Sequence, residues 1–187
     1  QIGDSGQIII GHNIIQVKNT FKEGGEIIHL TDTLPNDLNS SVKFKIDKNR
    51  RSYIESNHTS THLLNLALRN ILGNHVEQRG SMISDKMFRF DFSHQNKITD
   101  AELKSINDFI NEKINQSIDI IENREEDYEK AIKNGAIGLF TEKYEEKVRT
   151  IKFNDSYELC GGTHVKNTSL ISSFKIISEG SQAFGIR

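Results

Sequence analysis

The sequence predicts an α+β fold in which a small β-barrel, or part of one, precedes a region that mixes helices with strands. Two observations carry this prediction. Four short apolar runs separated by turn signals lie before residue 47, and helical periodicity sets in near residue 50. The chain has 187 residues, of which 35% are hydrophobic and 27% are charged, as is typical of a soluble globular protein. This length suits one large domain or two small ones.

Short strands are predicted for the N-terminal region. In the last of them, Val42, Phe44 and Ile46 alternate with lysines, which is the pattern of a half-buried strand. Sequences rich in Gly, Asn and Pro separate the runs, so each run is expected to end in a turn. Several such strands in so few residues favour a small barrel. The predicted strands are Ile8–Ile10, Ile14–Val17, Glu26–Leu30 and Val42–Ile46, and the turns are Gly11–Asn13, Gly24–Gly25 and Leu34–Asp37.

Helices and strands alternate over the rest of the chain. The longest predicted helix runs from Ser52, with Glu55 completing a capping box, to Leu72, and Gly73 is placed to end it. The alternating phenylalanines 88, 90 and 92 predict a strand with one apolar face, which we expect in the core rather than stacked on bases. The other predicted elements are the strand Lys86–Phe92, a helix Thr99–Glu122 with a capping box at Glu102, a helix Arg124–Lys133, and the strands Val148–Phe153 and Ser173–Ile177.

Charge and cysteine content narrow the function classes. The net charge of -2 gives no general sign of a nucleic-acid binder. Seven basic residues nevertheless cluster in sequence around the first histidine motif, where they fit either a phosphate backbone or an ordinary solvated surface. One cysteine excludes an intramolecular disulfide framework, and no apolar run nears the roughly 18 residues of a membrane span. The basic residues are Lys48, Arg50, Arg51, Arg69, Arg79, Lys86 and Arg89.

We therefore expect a cytoplasmic protein without a membrane partner. The sequence starts at Gln1 without a methionine and stops abruptly at Arg187, which leads us to expect an excerpt of a longer protein.

Two short motifs, far apart in sequence, supply the candidate metal ligands. His58 and His62 are one helical turn apart, so both imidazoles point from one face of the predicted helix. Cys160 and His164 flank a Gly-Gly pair, which is expected to let the backbone turn tightly enough for them to converge. Either pair alone is weak evidence, because a lone cysteine is often just a small buried apolar residue. Together, three imidazoles and a thiol suit zinc.

Other readings of the histidines are less favoured. A metalloprotease needs a glutamate directly after the first histidine, and Thr59 stands there. The histidines outside the two motifs are isolated in sequence, and each is expected to be a surface or hydrogen-bonded residue rather than a ligand. These residues are His12, His29, His75 and His94.

Longer stretches around the motifs resemble the editing domain of bacterial alanyl-tRNA synthetases, and the resemblance runs from one end of the chain to the other. Free-standing alanyl-tRNA editing proteins and the editing domain of threonyl-tRNA synthetases share mainly the two metal motifs. The stretches that carry the resemblance are Gln1–Gly6, Asn57–Leu64, His75–Ser81, Arg89–Phe92, Gly138–Tyr144, Leu159–His164 and Ser178–Gly180.

The resemblance implies a small β-barrel in residues 1–50 and an α/β two-layer sandwich with the metal site in residues 51–187. It implies that zinc is held by His58, His62, Cys160 and His164, and that Gln78 lies in the amino-acid pocket. The implied activity is hydrolysis of seryl- or glycyl-tRNA(Ala) at the acceptor end of the tRNA. The aminoacylation domain and the C-terminal region of such a synthetase are expected as further parts of the same chain, so this sequence alone is not expected to aminoacylate.

Proofreading by hydrolysis also follows from a physical limit. An alanine pocket discriminates against glycine or serine by only about 1–3 kcal/mol, so a second, hydrolytic site is needed. Thr59 and Thr163 offer hydroxyls to orient a water or read the serine hydroxyl, and with Gln78 they form the predicted catalytic set.

Zinc with an open position lowers the pKa of its water toward about 7, whereas four protein ligands close a tetrahedral site. Two other functions stay open: a zinc-stabilised tRNA-binding module without catalysis, and metal-dependent hydrolysis of a small ester or peptide.

Overall fold

The N-terminal strands form one antiparallel sheet in the computed structural model, which describes residues 1–35, 40–138 and 144–187. The four predicted strands are confirmed, and the turn predicted at Leu34–Asp37 lies partly outside the described residues. The strands are β1 (Gly6–Ile10), β2 (Asn13–Glu23), β3 (Glu26–Thr31) and β4 (Lys43–Ile46), in the spatial order β3-β2-β1-β4.

The two edges of this sheet approach each other without pairing their backbones. In the part of the chain that the structure describes, β3 and β4 share no ladder, so hydrogen bonds do not close the predicted barrel. His29 on β3 nevertheless stacks on Phe44 of β4, with ring centroids 5.0 Å apart. Side chains therefore bring the edges together, and the closed barrel stays a prediction.

Helix α1 (Lys48–Leu72) begins one turn before the predicted start at Ser52. Asp47 caps it instead, because its side chain accepts a hydrogen bond from the N–H of Arg50. The hydroxyl of Ser52 donates to a backbone carbonyl of the preceding turn and so takes no part in a capping box. The predicted end is confirmed, since Gly73 follows the last helical residue with a φ of 118°.

A hairpin of β5 (Gln78–Ile83) and β6 (Phe88–Phe92) follows α1. Phe90 and Phe92 are buried, and Phe88 packs against the edge of the core. The predicted apolar face of this strand is therefore confirmed.

Helix α2 (Asp100–Asn115) has the predicted start and an earlier end. Thr99 and Glu102 form the expected capping box. The helix stops well before the predicted Glu122, because Ser117 adopts a φ of 54°, which is incompatible with helical backbone.

The third sheet contains β7 (Ile121–Asp127), β8 (Lys147–Phe153) and β9 (Ser156–Leu159), in that order. Strand β8 confirms the prediction for its segment. The helix predicted to start at Arg124 forms only as α3 (Tyr128–Lys133), because the preceding residues belong to β7, which pairs with β8. Tertiary pairing overrides the local helical pattern at this point.

The strand predicted for residues 173–177 is not formed. The side-chain amide of Asn111 on α2 bonds both the N–H and the carbonyl of Phe174, each at 2.9 Å. The N–H of Ile176 donates to Asn107 Oδ1 at 3.4 Å. Asparagine side chains thus satisfy the backbone that a neighbouring strand was expected to satisfy. A short 3₁₀ helix, Thr168–Leu170, precedes this segment.

The main hydrophobic core draws on α1, β6, α2 and β8. Leu63, Ile106, Ile151 and Phe153 have no exposed surface there. The predicted mixture of helices and strands is confirmed. The strands after α1 belong to two separate sheets, so the two-layer sandwich stays a prediction. The division of the chain at residue 50 also stays a prediction. No helix within the described ranges is long and apolar enough to cross a membrane.

Candidate metal centre

Helix α1 presents two buried histidines to one point. His58 and His62 are 8% and 4% exposed, and their rings meet edge to face with centroids 5.2 Å apart. The predicted convergence of this pair from one helix face is confirmed.

Cys160 and His164 reach the same point from the loop after strand β9. The N–H of Cys160 donates to the carbonyl of Arg149 on β8, so the β8–β9 ladder extends to the cysteine. The chain then turns, and His164 returns with its Nε2 3.4 Å from the Cys160 Sγ. His58 Nε2 lies at the same distance, 3.4 Å, from that sulfur.

Cys160 and His164 converge across the Gly-Gly pair as expected, and the structure shows what each glycine contributes. Neither Gly161 nor Gly162 has a positive φ, so the turn does not depend on left-handed backbone. A Cβ added at Gly162 would lie 2.1 Å from Cε1 of His58, whereas a Cβ at Gly161 would meet nothing within 4 Å. One glycine is therefore required, because it lets the loop touch a ligand ring.

The four side chains fit a metal ion by geometry and by chemistry. The four ligand atoms of His58, His62, Cys160 and His164 all lie within 4.8 Å of one another. In a tetrahedral site with sulfur about 2.3 Å and nitrogen about 2.0–2.1 Å from the metal, ligand atoms lie about 3.3–3.6 Å apart. The observed sulfur–nitrogen distances of 3.4 Å match that spacing. In addition, the Nδ1 of His62 is buried without a hydrogen-bond partner, as expected of an atom reserved for a metal.

Each histidine turns its second ring nitrogen to an outer partner. Nδ1 of His58 lies 2.6 Å from Gln1 Oε1, Nε2 of His62 lies 3.5 Å from Glu158 Oε2, and Nδ1 of His164 lies 3.2 Å from Thr59 Oγ1. Such partners fix the ring orientation and tautomer of metal-binding histidines.

Burial keeps the imidazoles in their metal-binding form. Loss of hydration lowers the pKa of His58 from 6.5 to about 4 and also lowers the pKa values of His62 and His164. The same cause raises the pKa of the Cys160 thiol from 9.0 to about 11. Metal binding therefore has to displace one proton, that of the thiol.

A pocket of about 260 Å³ opens against three of the four candidate ligands. Gln78 lies in its wall, and its Nε2 donates to Ser81 Oγ at 3.2 Å. Thr61 and Asn65 add polar groups from α1. Gly138 also lines the pocket, whereas residues 139–143 of that sequence stretch lie outside the described residues.

Thr59 and Thr163 lie outside the lining of this pocket. Thr59 has no exposed surface, and its hydroxyl accepts from the N–H of Val165 while it contacts His164. The hydroxyl of Thr163 accepts from Gln1 Nε2 at 2.9 Å. The predicted catalytic roles of Gln78, Thr59 and Thr163 stay predictions.

Glu158 is the main site residue that sequence reasoning missed. It is 8% exposed and lines the pocket, and its Oε1 accepts from Asn65 Nδ2 at 3.0 Å. Burial raises the pKa of its carboxyl from 4.5 to about 7. No strand was predicted for residues 156–159, so nothing in the sequence indicated that the Glu158 side chain faces the site.

The structure gives partners to some of the other histidines and to the basic residues. His75 and His94, isolated in sequence, are hydrogen-bonded as expected: His75 Nε2 lies 2.9 Å from His94 Nδ1, and their rings stack. Several of the clustered arginines are neutralised by carboxylates, which favours the ordinary solvated surface over a phosphate-binding rim. The pairs are Arg50–Asp85, Arg51–Asp4, Arg79–Glu77 and Arg89–Asp91.

Comparison with known proteins places this centre in a family context. Residues 148–187 match the family described as the threonyl and alanyl tRNA synthetase second additional domain. The whole chain aligns with the alanine--tRNA ligases of Cytophaga hutchinsonii and Thermoanaerobacter pseudethanolicus, each at 49% identity, and of Christiangramia forsetii at 48%. The chain spans 22% of the length of these relatives. The chain is therefore similar over its whole length to one segment of the alanine--tRNA ligases, and its residues 148–187 match the second additional domain.

Proposed function

We propose that this chain proofreads alanine attachment by hydrolysing Ser-tRNA(Ala) and Gly-tRNA(Ala), with zinc held by His58, His62, Cys160 and His164. The observation that carries the proposal is a small pocket with both polar and apolar lining residues, placed directly against the metal-ligand cluster. The chain's relatives attach alanine to tRNA, so the errors to be removed are those that an alanine site makes. The proposed partners are the acceptor end of tRNA(Ala) and the regions that the longer relatives contain in addition.

The pocket suits a small amino acid. Its volume of about 260 Å³ falls below the range of about 300–1,000 Å³ that is usual for drug-sized ligands. Its polar lining residues include Gln78, Thr61 and Asn65, and its apolar ones include Val76 and Ile83. A seryl side chain finds hydrogen-bond partners there, and a glycyl residue fits without a clash.

Two residues act on the substrate or on the attacking water in this proposal. The amide of Gln78 binds the polar groups of the aminoacyl ester from the pocket wall. Thr163 lies outside the pocket lining but accepts a hydrogen bond from Gln1, which lines it, and keeps its own proton for donation, so we assign it the orientation of a water beside the pocket.

Thr59 acts indirectly in this proposal. It is buried behind the cluster and contacts His164, so we propose that it holds a ligand ring and does not touch the substrate. When bound, zinc supplies a fixed positive charge beside the pocket, and four protein ligands leave it no open position in a tetrahedral geometry.

That closed ligand set also favours a second candidate function. A zinc ion with four protein ligands is typical of structural sites, whereas catalytic sites usually keep one position open. A zinc-stabilised tRNA-binding module without its own catalysis is consistent with the same geometry.

Deacylation assays separate the two candidates. We expect metal-loaded protein to release serine and glycine, and not alanine, from the corresponding aminoacyl-tRNA(Ala), and we expect chelation to abolish the release. Gln78→Ala should lower the rate, while Gln116→Ala, a matched change at the end of α2, should leave it unchanged. Binding of tRNA without release of any amino acid by the loaded protein would support the binding module and contradict the hydrolase.

A further inference from the structure

Arg149 holds the backbone of the cysteine loop from the neighbouring strand. Its Nη1 donates to the carbonyl of Cys160 at 2.7 Å and to the carbonyl of Gly162 at 2.6 Å. Its own carbonyl accepts the N–H of Cys160 at 3.1 Å. Main chain and side chain of one residue therefore bracket the metal-ligating cysteine on both sides.

The guanidinium is itself fixed from the adjacent strand. Nε of Arg149 donates to Glu122 Oε1 on β7 at 2.8 Å, and the two side chains are 22% and 27% exposed. A carboxylate and two carbonyls thus use the planar set of donors that arginine offers and lysine does not. The hydrogen bond from Arg149 lowers the pKa of the Glu122 carboxyl.

The other restraints on this loop act at Gly162 and beyond it. A side chain at Gly161, between the two bonded carbonyls, would have no neighbour within 4 Å, so packing does not hold the turn at that residue. Gly162 packs against the ring of His58, and the N–H of Thr163 donates to Gln1 Oε1 at 3.1 Å. The carbonyls of Cys160 and Gly162 themselves are bonded by Arg149, so the direction of the turn next to the sulfur follows from the bonds that Arg149 makes.

We propose that Arg149 is a positioning residue of the metal centre, which sets the orientation of the Cys160 thiolate by clamping the carbonyls of Cys160 and Gly162, with Glu122 as its anchor. The inference rests on the metal centre of the proposed function but not on tRNA hydrolysis. It predicts an effect on the metal even in the absence of any tRNA.

Metal affinity and cobalt spectroscopy test this role. We expect Arg149→Met to weaken Zn²⁺ binding about 10–100-fold in competition with a chromophoric chelator, the range found for residues that orient metal ligands. The visible spectrum of the Co²⁺-loaded variant should change in position or intensity, because the sulfur approaches the metal differently. A stabilising surface ion pair alone would shift the melting temperature and leave this spectrum unchanged.

The chain offers a matched control. Arg124 contacts the same Glu122 oxygen at 2.7 Å but is 77% exposed, and its contact is with the carboxylate and not with the loop carbonyls. Arg124→Met should leave Zn²⁺ affinity within twofold and the Co²⁺ spectrum unchanged. Arg149→Lys should recover only part of the affinity, since one ammonium cannot reach all three acceptors with the same geometry.

Two results decide against the proposal. Folded Arg149→Met protein with unchanged Zn²⁺ affinity and an unchanged Co²⁺ spectrum would overturn it. If Arg149→Met does not fold, Glu122→Gln keeps the arginine and removes only the charge of its anchor. An intermediate loss of Zn²⁺ affinity in Glu122→Gln supports the clamp, and no loss overturns it. Loss of tRNA hydrolysis without a change in metal binding would concern the proposed function and not this clamp.

Discussion

Replacing Gly162 by alanine should damage the metal centre through a single methyl group. The added Cβ would lie 2.1 Å from Cε1 and 2.5 Å from Nδ1 of His58, and ordinary van der Waals contact begins at 3.4 Å. To restore contact from 2.1 Å to 3.4 Å, the ring or the loop has to move by about 1.3 Å. Metal–ligand distances tolerate only about 0.2 Å, so at least one ligand is expected to leave the metal. Forced overpacking of this kind also costs about 1–3 kcal/mol of folding free energy.

Gly161→Ala is the matched control for this experiment, because a Cβ there meets nothing within 4 Å and neither glycine has a positive φ. We expect Gly162→Ala to lose about 10–100-fold in Zn²⁺ affinity, measured by competition with a chromophoric chelator, and Gly161→Ala to remain within about threefold. Circular dichroism melts of the metal-free proteins should show a lower midpoint only for Gly162→Ala. Equal Zn²⁺ affinities for the two variants would refute the contact between this loop and His58.

Three further predictions concern stability. His58 alone should raise the free energy of unfolding of the metal-free protein by about 3 kcal/mol at most as the pH increases from about 4 to 6.5, because burial lowers its pKa and the unfolded chain binds the extra proton. Glu158, whose pKa burial raises to about 7, acts in the opposite direction over this range, so urea titrations of His58→Gln and of the unchanged protein are compared to isolate the share of His58. The free energy of unfolding should fall above pH 9, where the raised pKa of Cys160 keeps a proton on the folded protein. Thr59→Val should lower the free energy of unfolding by about 1–3 kcal/mol and weaken Zn²⁺ binding, because it removes the hydrogen bonds to Val165 N and to His164. Thr59→Ser keeps the hydroxyl and should retain most of the stability and most of the Zn²⁺ affinity. Phe174→Ala should destabilise by about 3–5 kcal/mol and Ile177→Ala, 83% exposed, by no more than about 0.5 kcal/mol; equal losses would contradict the described path of residues 173–177.

Local chemistry explains the elements that could be predicted from sequence. The start of α2 follows from the Thr99–Glu102 capping box, and the apolar face of β6 follows from alternating phenylalanines. The convergence of His58 and His62 follows from helical spacing. Spacing within the second motif likewise brings Cys160 and His164 to the same point.

Non-local contacts explain what could not be predicted. Asp47, and not Ser52, caps α1, and the N–H of Asp47 donates to the carbonyl of Ser5 before β1, a contact that neither local capping signal shows. Asparagine side chains on α2 hydrogen-bond to the backbone around Phe174, and no local pattern in residues 173–177 predicts these bonds. Glu158 joins the site through an unpredicted strand.

Arg149 illustrates the same limit within the site. Nothing in its own sequence neighbourhood distinguishes it from Arg124, which binds the same carboxylate oxygen of Glu122. Only the pairing of β8 with β9 brings one of the two arginines to the cysteine loop.

The central claim is that one metal ion is held by three imidazoles and one thiolate beside the pocket. X-ray absorption at the zinc edge of the purified, zinc-loaded protein tests this claim directly. The account predicts one zinc per chain, with one sulfur at about 2.3 Å and three nitrogens at about 2.0–2.1 Å, and loss of the sulfur contribution in Cys160→Ala. A first coordination shell without sulfur, or protein that retains no zinc after loading, would contradict it.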